Sequence, residues 1–202
     1  MKTSKIKICG MMRKEDIQVI NQYHPDYIGF IIDYPKSHRS KTKEEVKILS
    51  QIVHPDIQKV GVFVDAPLEE VVALANEGTI DLIQLHGNEN ESYITKVQQE
   101  TSKSVIKAFI IQSPQDVEEA QRSKADIILL DCGRGSGQSF PWQWIPRDFG
   151  RPYFLAGGLH PGNLEEAYRQ VQPWGLDISS GVETNGWKDE NKIKAVMQWR
   201  EQ

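Results

Sequence analysis

Cys9 and Asp131 each follow or close a short apolar run, and together they offer a base and an acid. A thiolate takes a proton from carbon when neighbouring dipoles or cations lower its pKa, and a carboxylic acid kept neutral by partial burial donates one. The plainer roles for these residues are a small buried hydrophobe for Cys9 and a loop cap for Asp131. Gly157-Gly158 and Ser179-Ser180-Gly181 stand after two further apolar runs. Their backbone N–H groups can approach an anion without side-chain obstruction, which suits a single phosphate. The stretch Lys36-Ser37-His38-Arg39-Ser40-Lys41-Thr42-Lys43 is densely basic. Most such stretches are merely solvated, but Arg39 carries the planar fork that grips a carboxylate. His86 either donates to a substrate or ends its strand; His24, His54 and His160 have no partner by spacing and are expected at the surface.

Positioning these side chains requires a scaffold, and the chain supplies eight short apolar runs at 6–9, 27–32, 60–64, 82–85, 105–109, 127–130, 153–156 and 176–179. They start roughly 20 to 30 residues apart, the length of one strand-plus-helix unit. Between them lie helix signals. Thr42-Lys43-Glu44-Glu45 is a capping box, and Ser113-Pro114 puts a cap before a proline at the first helical position. Apolar stripes fall at Ile17 and Ile20, at Leu68, Val71, Val72 and Ala75, at Leu164, Ala167 and Val171, and at Ile193, Val196 and Met197. Alternating strand and helix with buried strands predicts a parallel sheet, and eight units predict one closed (β/α)8 TIM barrel over residues 1–202. The stretch 139–150 has no helical period, so the sixth helix should be short or irregular. Cys9-Gly10, Asp33, Asp65, His86-Gly87, Asp131, Gly157-Gly158 and Ser179-Ser180-Gly181 would then share the C-terminal face, where barrel enzymes assemble their sites.

Composition sets bounds on function. The chain has 202 residues, 39% hydrophobic and 26% charged, with a net charge of -4, which argues against a nucleic-acid or anionic-membrane binder. No apolar run approaches the roughly 20 residues of a membrane span. The first residues lead straight into a strand instead of a signal-peptide core, so a cytoplasmic location is expected. The two cysteines, Cys9 and Cys132, belong to no CxxC pair, and no Cys/His spacing suits zinc, so no metal is expected. Gly133-Arg134-Gly135-Ser136-Gly137-Gln138-Ser139 is neither a P-loop, lacking its lysine, nor a dinucleotide fingerprint. A monophosphorylated small molecule is the expected ligand.

The ordered set of motifs resembles the phosphoribosylanthranilate isomerase family of tryptophan biosynthesis. It comprises Lys7-Ile8-Cys9-Gly10, Gly29-Phe30, Lys36-Ser37-His38-Arg39, Val60-Gly61-Val62-Phe63-Val64 and Gln84-Leu85-His86-Gly87 in the first half. Leu129-Leu130-Asp131, Gly135-Ser136-Gly137, Ala156-Gly157-Gly158-Leu159 and Asp177-Ile178-Ser179-Ser180-Gly181-Val182-Glu183, with Gly186, Lys188 and Asp189, complete it. The resemblance implies an Amadori rearrangement without cofactor or metal, carried out by a monomer or homodimer. It assigns Asp131 as general acid, Cys9 as general base and Arg39 to the anthranilate carboxylate. His86, Gly157, Gly158, Asp177, Ser179, Ser180 and Gly181 complete the substrate-binding set. The glycine loop departs from the family pattern at Arg134, Ser136 and Pro141. Two rivals are the related sugar isomerase of histidine biosynthesis, which uses an aspartate base and a second phosphate grip, and an inactive ligand-binding barrel.

Overall fold

The computed structural model describes residues 4–132 and 141–202; the glycine loop with Arg134, Ser136 and Phe140 lies outside the described residues. Chain order gives β1 (Lys5–Cys9), α1 (Lys14–Tyr23), β2 (Tyr27–Ile32), α2 (Lys43–Ser50), β3 (Gln58–Phe63), α3 (Leu68–Asn76), β4 (Leu82–Leu85) and α4 (Glu91–Thr101). It continues with β5 (Val105–Ile110), α5 (Pro114–Arg122), β6 (Ile127–Asp131), β7 (Tyr153–Ala156), α6 (Leu164–Val171), β8 (Gly175–Ile178) and α7 (Glu190–Glu201). Each of these eight strands pairs in parallel with the next, and β8 returns to β1, so the sheet closes into a (β/α)8 barrel.

Alternation along each strand sorts side chains into two apolar groups. Ile6, Ile8, Ile28, Ile83, Leu85, Leu130, Leu155 and Ile178 face the surrounding helices. Val60, Val62, Leu82, Ile106, Ala108, Leu129, Phe154 and Ala156 pack with Cys9 inside the barrel. Within that interior the polar residues Lys7, Gln84 and Asp177 are buried, an arrangement that demands partners.

The helices begin where local chemistry starts them. Thr42 Oγ1 accepts from the Glu45 amide at 3.2 Å while the Thr42 amide donates to Glu45 Oε2 at 2.9 Å, closing the capping box of α2. At α5 the Ser113 amide donates to Asp116 Oδ2 at 2.7 Å, with Pro114 in the first turn. Between β6 and β7 the described residues contain only the single 3-10 turn Trp142–Trp144, with Trp142, Ile145 and Phe149 buried where a sixth helix would pack.

Three expectations need correction. The buried face of α3 is Val71, Leu74 and Ala75, because the helical repeat carries i to i+3 and i+4, which leaves Val72 half-exposed. His24 and His54 are not partnerless: their rings meet edge to face at 4.5 Å. Strand β3 starts two residues before its apolar run, since Gln58 and Lys59 pair with Tyr27 and Ile28.

Candidate active site

Cys9 ends β1 with its side chain inside the barrel, only 7% exposed. Lys7 lies two residues back on the same inward face and has no exposure at all. Both fit because their neighbour on β2 is Gly29: a Cβ there would sit 2.7 Å from Cys9 Sγ and 3.2 Å from Lys7 Nζ. On the other side Lys7 is in register with Asp177 of β8, and Lys7 Nζ donates to Asp177 Oδ2 at 2.8 Å. Burial pushes the Cys9 thiol up; the positive charges of Lys7 and Lys188 oppose the rise, Asp177 adds to it, and the thiol stays above its ordinary value. Burial would lower Lys7, but Asp177 and the Cys9 sulfur outweigh it and hold the ammonium above its ordinary value.

Arg39 reaches this group from the loop after β2. The two-residue strand Ser40–Lys41 pairs with Ile31 and Ile32, turning the loop back over the barrel mouth. Its side chain crosses Gly10, where a Cβ would meet Arg39 Cδ at 2.5 Å; Gly10 also has φ +85°, so glycine is required twice over. The guanidinium makes a bidentate pair with Glu183, from Nε and Nη2, each at 2.7 Å. Glu183 and Lys188 face each other in a short antiparallel hairpin after β8. Lys188 Nζ donates to Glu183 Oε1 at 2.7 Å and to the Ser179 carbonyl at 3.1 Å. Burial raises Glu183, but hydrogen bonding to Arg39 and the charge of Lys188 reverse this and hold it below the ordinary glutamate value. Lys188 is pulled below its ordinary value by burial.

Asp131 is the last residue of β6, on the same inward alternation as Ile127 and Leu129. From the end of β4, His86 Nε2 comes within 3.4 Å of Asp131 Oδ2. Gln84 Nε2 lies 3.1 Å from His86 Nδ1; with the Gln84 amide as donor there, His86 carries its hydrogen on Nε2, facing Asp131. On the β7 side Gly157 has φ +87°, and a Cβ on it would lie 2.8 Å from Asp131 Oδ1. A cavity of about 460 Å³ opens above the barrel, walled by Ile31, Tyr34, Val62, Val64 and Ile110, with Lys36, His38, Arg39, His86 and Asp131 among its lining.

The loops after β7 and β8 touch through their backbones. A Cβ on Gly181 would run into the Leu159 carbonyl, so only glycine permits this approach. Asn163 Nδ2 donates to the Gly158 carbonyl at 3.1 Å, and Ser180–Val182 forms one 3-10 turn. Ser179 Oγ donates to the Cys9 carbonyl at 3.1 Å, tying the end of β8 to the end of β1.

The structure thus gathers Cys9, Arg39, His86, Asp131, Gly157, Asp177 and Ser179 at one end of the barrel, with Gly158, Ser180 and Gly181 in the two adjoining loops. Two strand-end carboxylates instead shape turns. Asp33 and Asp65 have left-handed φ of 47° and 51°, and Asp65 Oδ1 accepts from the Asn88 amide at 2.6 Å. Sequence reasoning did not assign site roles to Lys7, Glu183 or Lys188. The signal for Lys7 was a lysine on the inward alternation of a strand that also carries Cys9. Among the described residues there is no grouping of His, Cys, Asp or Glu that could hold a metal ion.

Residues 6–199 match the family model for N-(5'-phosphoribosyl)anthranilate (PRA) isomerase. An N-(5'-phosphoribosyl)anthranilate isomerase of Endomicrobium trichonymphae is 42% identical over 194 residues, covering 94% of each chain. A solved phosphoribosyl anthranilate isomerase in complex with reduced 1-(o-carboxyphenylamino)-1-deoxyribulose 5-phosphate is 33% identical, with a TM-score of 0.87 and 98% of each chain covered. Monomers generated from the dimeric enzyme of Thermotoga maritima are similar to the same degree, at 33% identity, TM-score 0.87 and 98% coverage of each chain.

Proposed function

The chain belongs to the N-(5'-phosphoribosyl)anthranilate isomerase family, enzymes of tryptophan biosynthesis, and we propose that Asp131 and Cys9 are the acid and base of its reaction. The reaction is the Amadori rearrangement of N-(5-phosphoribosyl)anthranilate to 1-(2-carboxyphenylamino)-1-deoxyribulose 5-phosphate. Asp131 gives a proton to the ribose ring oxygen as the C1–O bond breaks, and the nitrogen lone pair forms the C1=N bond of a Schiff base. The Cys9 thiolate then removes the C2 proton, whose bonding pair becomes the C1=C2 bond and returns electrons to nitrogen. The resulting enolamine tautomerises, losing the proton of its C2 hydroxyl and gaining one at C1, to give the ketone. Atoms and electrons are conserved, so neither an oxidant nor a reductant enters.

One observation supports this reading above the others: Arg39 from the β2 loop and Asp131 from β6 line a single mouth with apolar walls, and Cys9 ends β1 at the same end of the barrel. Such walls suit an aromatic ring, Arg39 suits its carboxylate, and the Gly157-Gly158 and Ser180-Gly181 loops suit the ribose phosphate. For Arg39 to bind substrate it exchanges part of its contact with Glu183 for the incoming carboxylate. A base that must remain a free thiol fits a reducing, cytoplasmic setting, and the working unit is a monomer or homodimer.

The test is to generate phosphoribosylanthranilate in situ, add the purified protein with chelator present, and follow the anthranilate fluorescence together with the deoxyribulose product. Enzyme-dependent conversion beyond spontaneous hydrolysis is expected. A folded protein that converts only the histidine-pathway substrate would overturn the assignment, and one that binds without turnover would make it an inactive barrel.

A further inference from the structure

Lys7 has no part in the acid–base scheme. It is fully buried on the inner face of β1, and its ammonium donates to Asp177. A buried ion pair of this kind is a poor stabilising device, because desolvating both charges offsets their attraction. Its purpose is better sought in its neighbour. The positive charge of the ammonium acts on the Cys9 sulfur, and the two side chains share the space that Gly29 leaves open.

Among the described residues the charged groups that act on Cys9 are Lys7 from β1, Asp177 from β8, Lys188 from the hairpin after β8 and Arg39 from the loop after β2, and Glu183 of that hairpin belongs to the same group through its pairs with Arg39 and Lys188. Three cations therefore face two anions. With Cys9 as a thiol the group carries one excess positive charge, and with Cys9 as a thiolate it is neutral. β2 itself contributes only Gly29 at this level, so nothing from that side alters the balance.

We propose that Lys7 is a positioning residue for the base: its ammonium, anchored by Asp177, is the counter-ion that allows Cys9 to hold a thiolate inside the barrel. The role rests on the reading of Cys9 as the proton-abstracting group. Burial alone would keep the thiol protonated, and Lys7 is the largest influence against that, whereas Asp177 acts in the opposite sense. Lys7 and Asp177 therefore have opposite effects on the sulfur although they form one ion pair. A pair that merely holds β1 to β8 would show no such opposition.

The experiment is a pH titration of thiolate ultraviolet absorbance, taking for each variant the difference from the same variant carrying Cys9→Ser, which removes the contributions of Cys132 and the tyrosines. Lys7→Met is expected to move the Cys9 titration up by about one to three pH units, the usual influence of an adjacent opposite charge. Asp177→Asn is expected to move it down, and Lys7→Arg to keep it near the wild-type value. Should Lys7→Met fail to fold with Asp177 left unpaired, the double variant Lys7→Met/Asp177→Asn carries the test and should titrate above wild type, by less than the single change. An unshifted titration in a folded Lys7→Met protein, a double variant at or below wild type, or single variants that both move the same way would each overturn the proposal. The titration needs no substrate, so it is separable from the fate of the base assignment, which full activity in Cys9→Ala would remove.

Discussion

His86 Nε2 and Asp131 Oδ2 stand 3.4 Å apart, joining the end of β4 to the end of β6 past the intervening β5. The imidazole is itself held by Gln84, so the pair has a fixed geometry from which a proton can be delivered into the cavity. Hydrogen bonds to charged groups contribute about 1.5–3 kcal/mol, so His86→Ala should lower kcat about ten- to a hundredfold. His86→Gln, which keeps a donor, should lose less. Steady-state kinetics of both variants check this, and equal losses would mean that the imidazole serves in some way other than as a donor to Asp131.

Arg39 has two tasks that separate experimentally. Toward the substrate, Arg39→Ala should raise KM about tenfold or more, and Arg39→Lys should recover only part of that because it lacks the bidentate fork.

Toward the fold, Arg39 holds Glu183 below the ordinary glutamate value of 4.5, so the pair contributes stability above that pH. The contribution is lost as pH falls through the depressed value of the folded state. Wild type should therefore exceed Arg39→Ala in stability at neutral pH, with the gap closing in acid. Denaturant unfolding at several pH values measures it, and a gap that persists undiminished well below pH 4.5 would contradict the linkage.

Gly181→Ala should cost about 1–3 kcal/mol, since the new methyl collides with the rigid backbone at Leu159 instead of a movable side chain. The displaced loops should also weaken phosphate binding, raising KM. Thermal unfolding alongside KM gives both values, and a variant with unaltered Tm would show that the two loops are not in obligatory contact.

What could be read in the sequence was what is local. The Thr42–Glu45 capping box spans three positions, the apolar runs mark the strands directly, and the aperiodic stretch around Trp142 indicates the short, irregular segment that follows β6. The strand ends followed, and with them Cys9, His86 and Asp131. The ion pairs were not legible: Lys7 and Asp177 are separated by 170 positions and Arg39 and Glu183 by 144, so only barrel closure brings them together. Asp33 and Asp65 looked equivalent to Asp131 in their placement after a strand, and only their left-handed backbone separates turn residues from a carboxylate aimed into the barrel.

The most direct test of the account is the turnover of Cys9→Ala and Asp131→Asn beside wild type, with folding verified by circular dichroism. Loss of a general acid or base costs about 10²–10⁴ in rate, so each variant should fall by that order while retaining the fold. Near-normal turnover by either folded variant would contradict the assignment of acid and base.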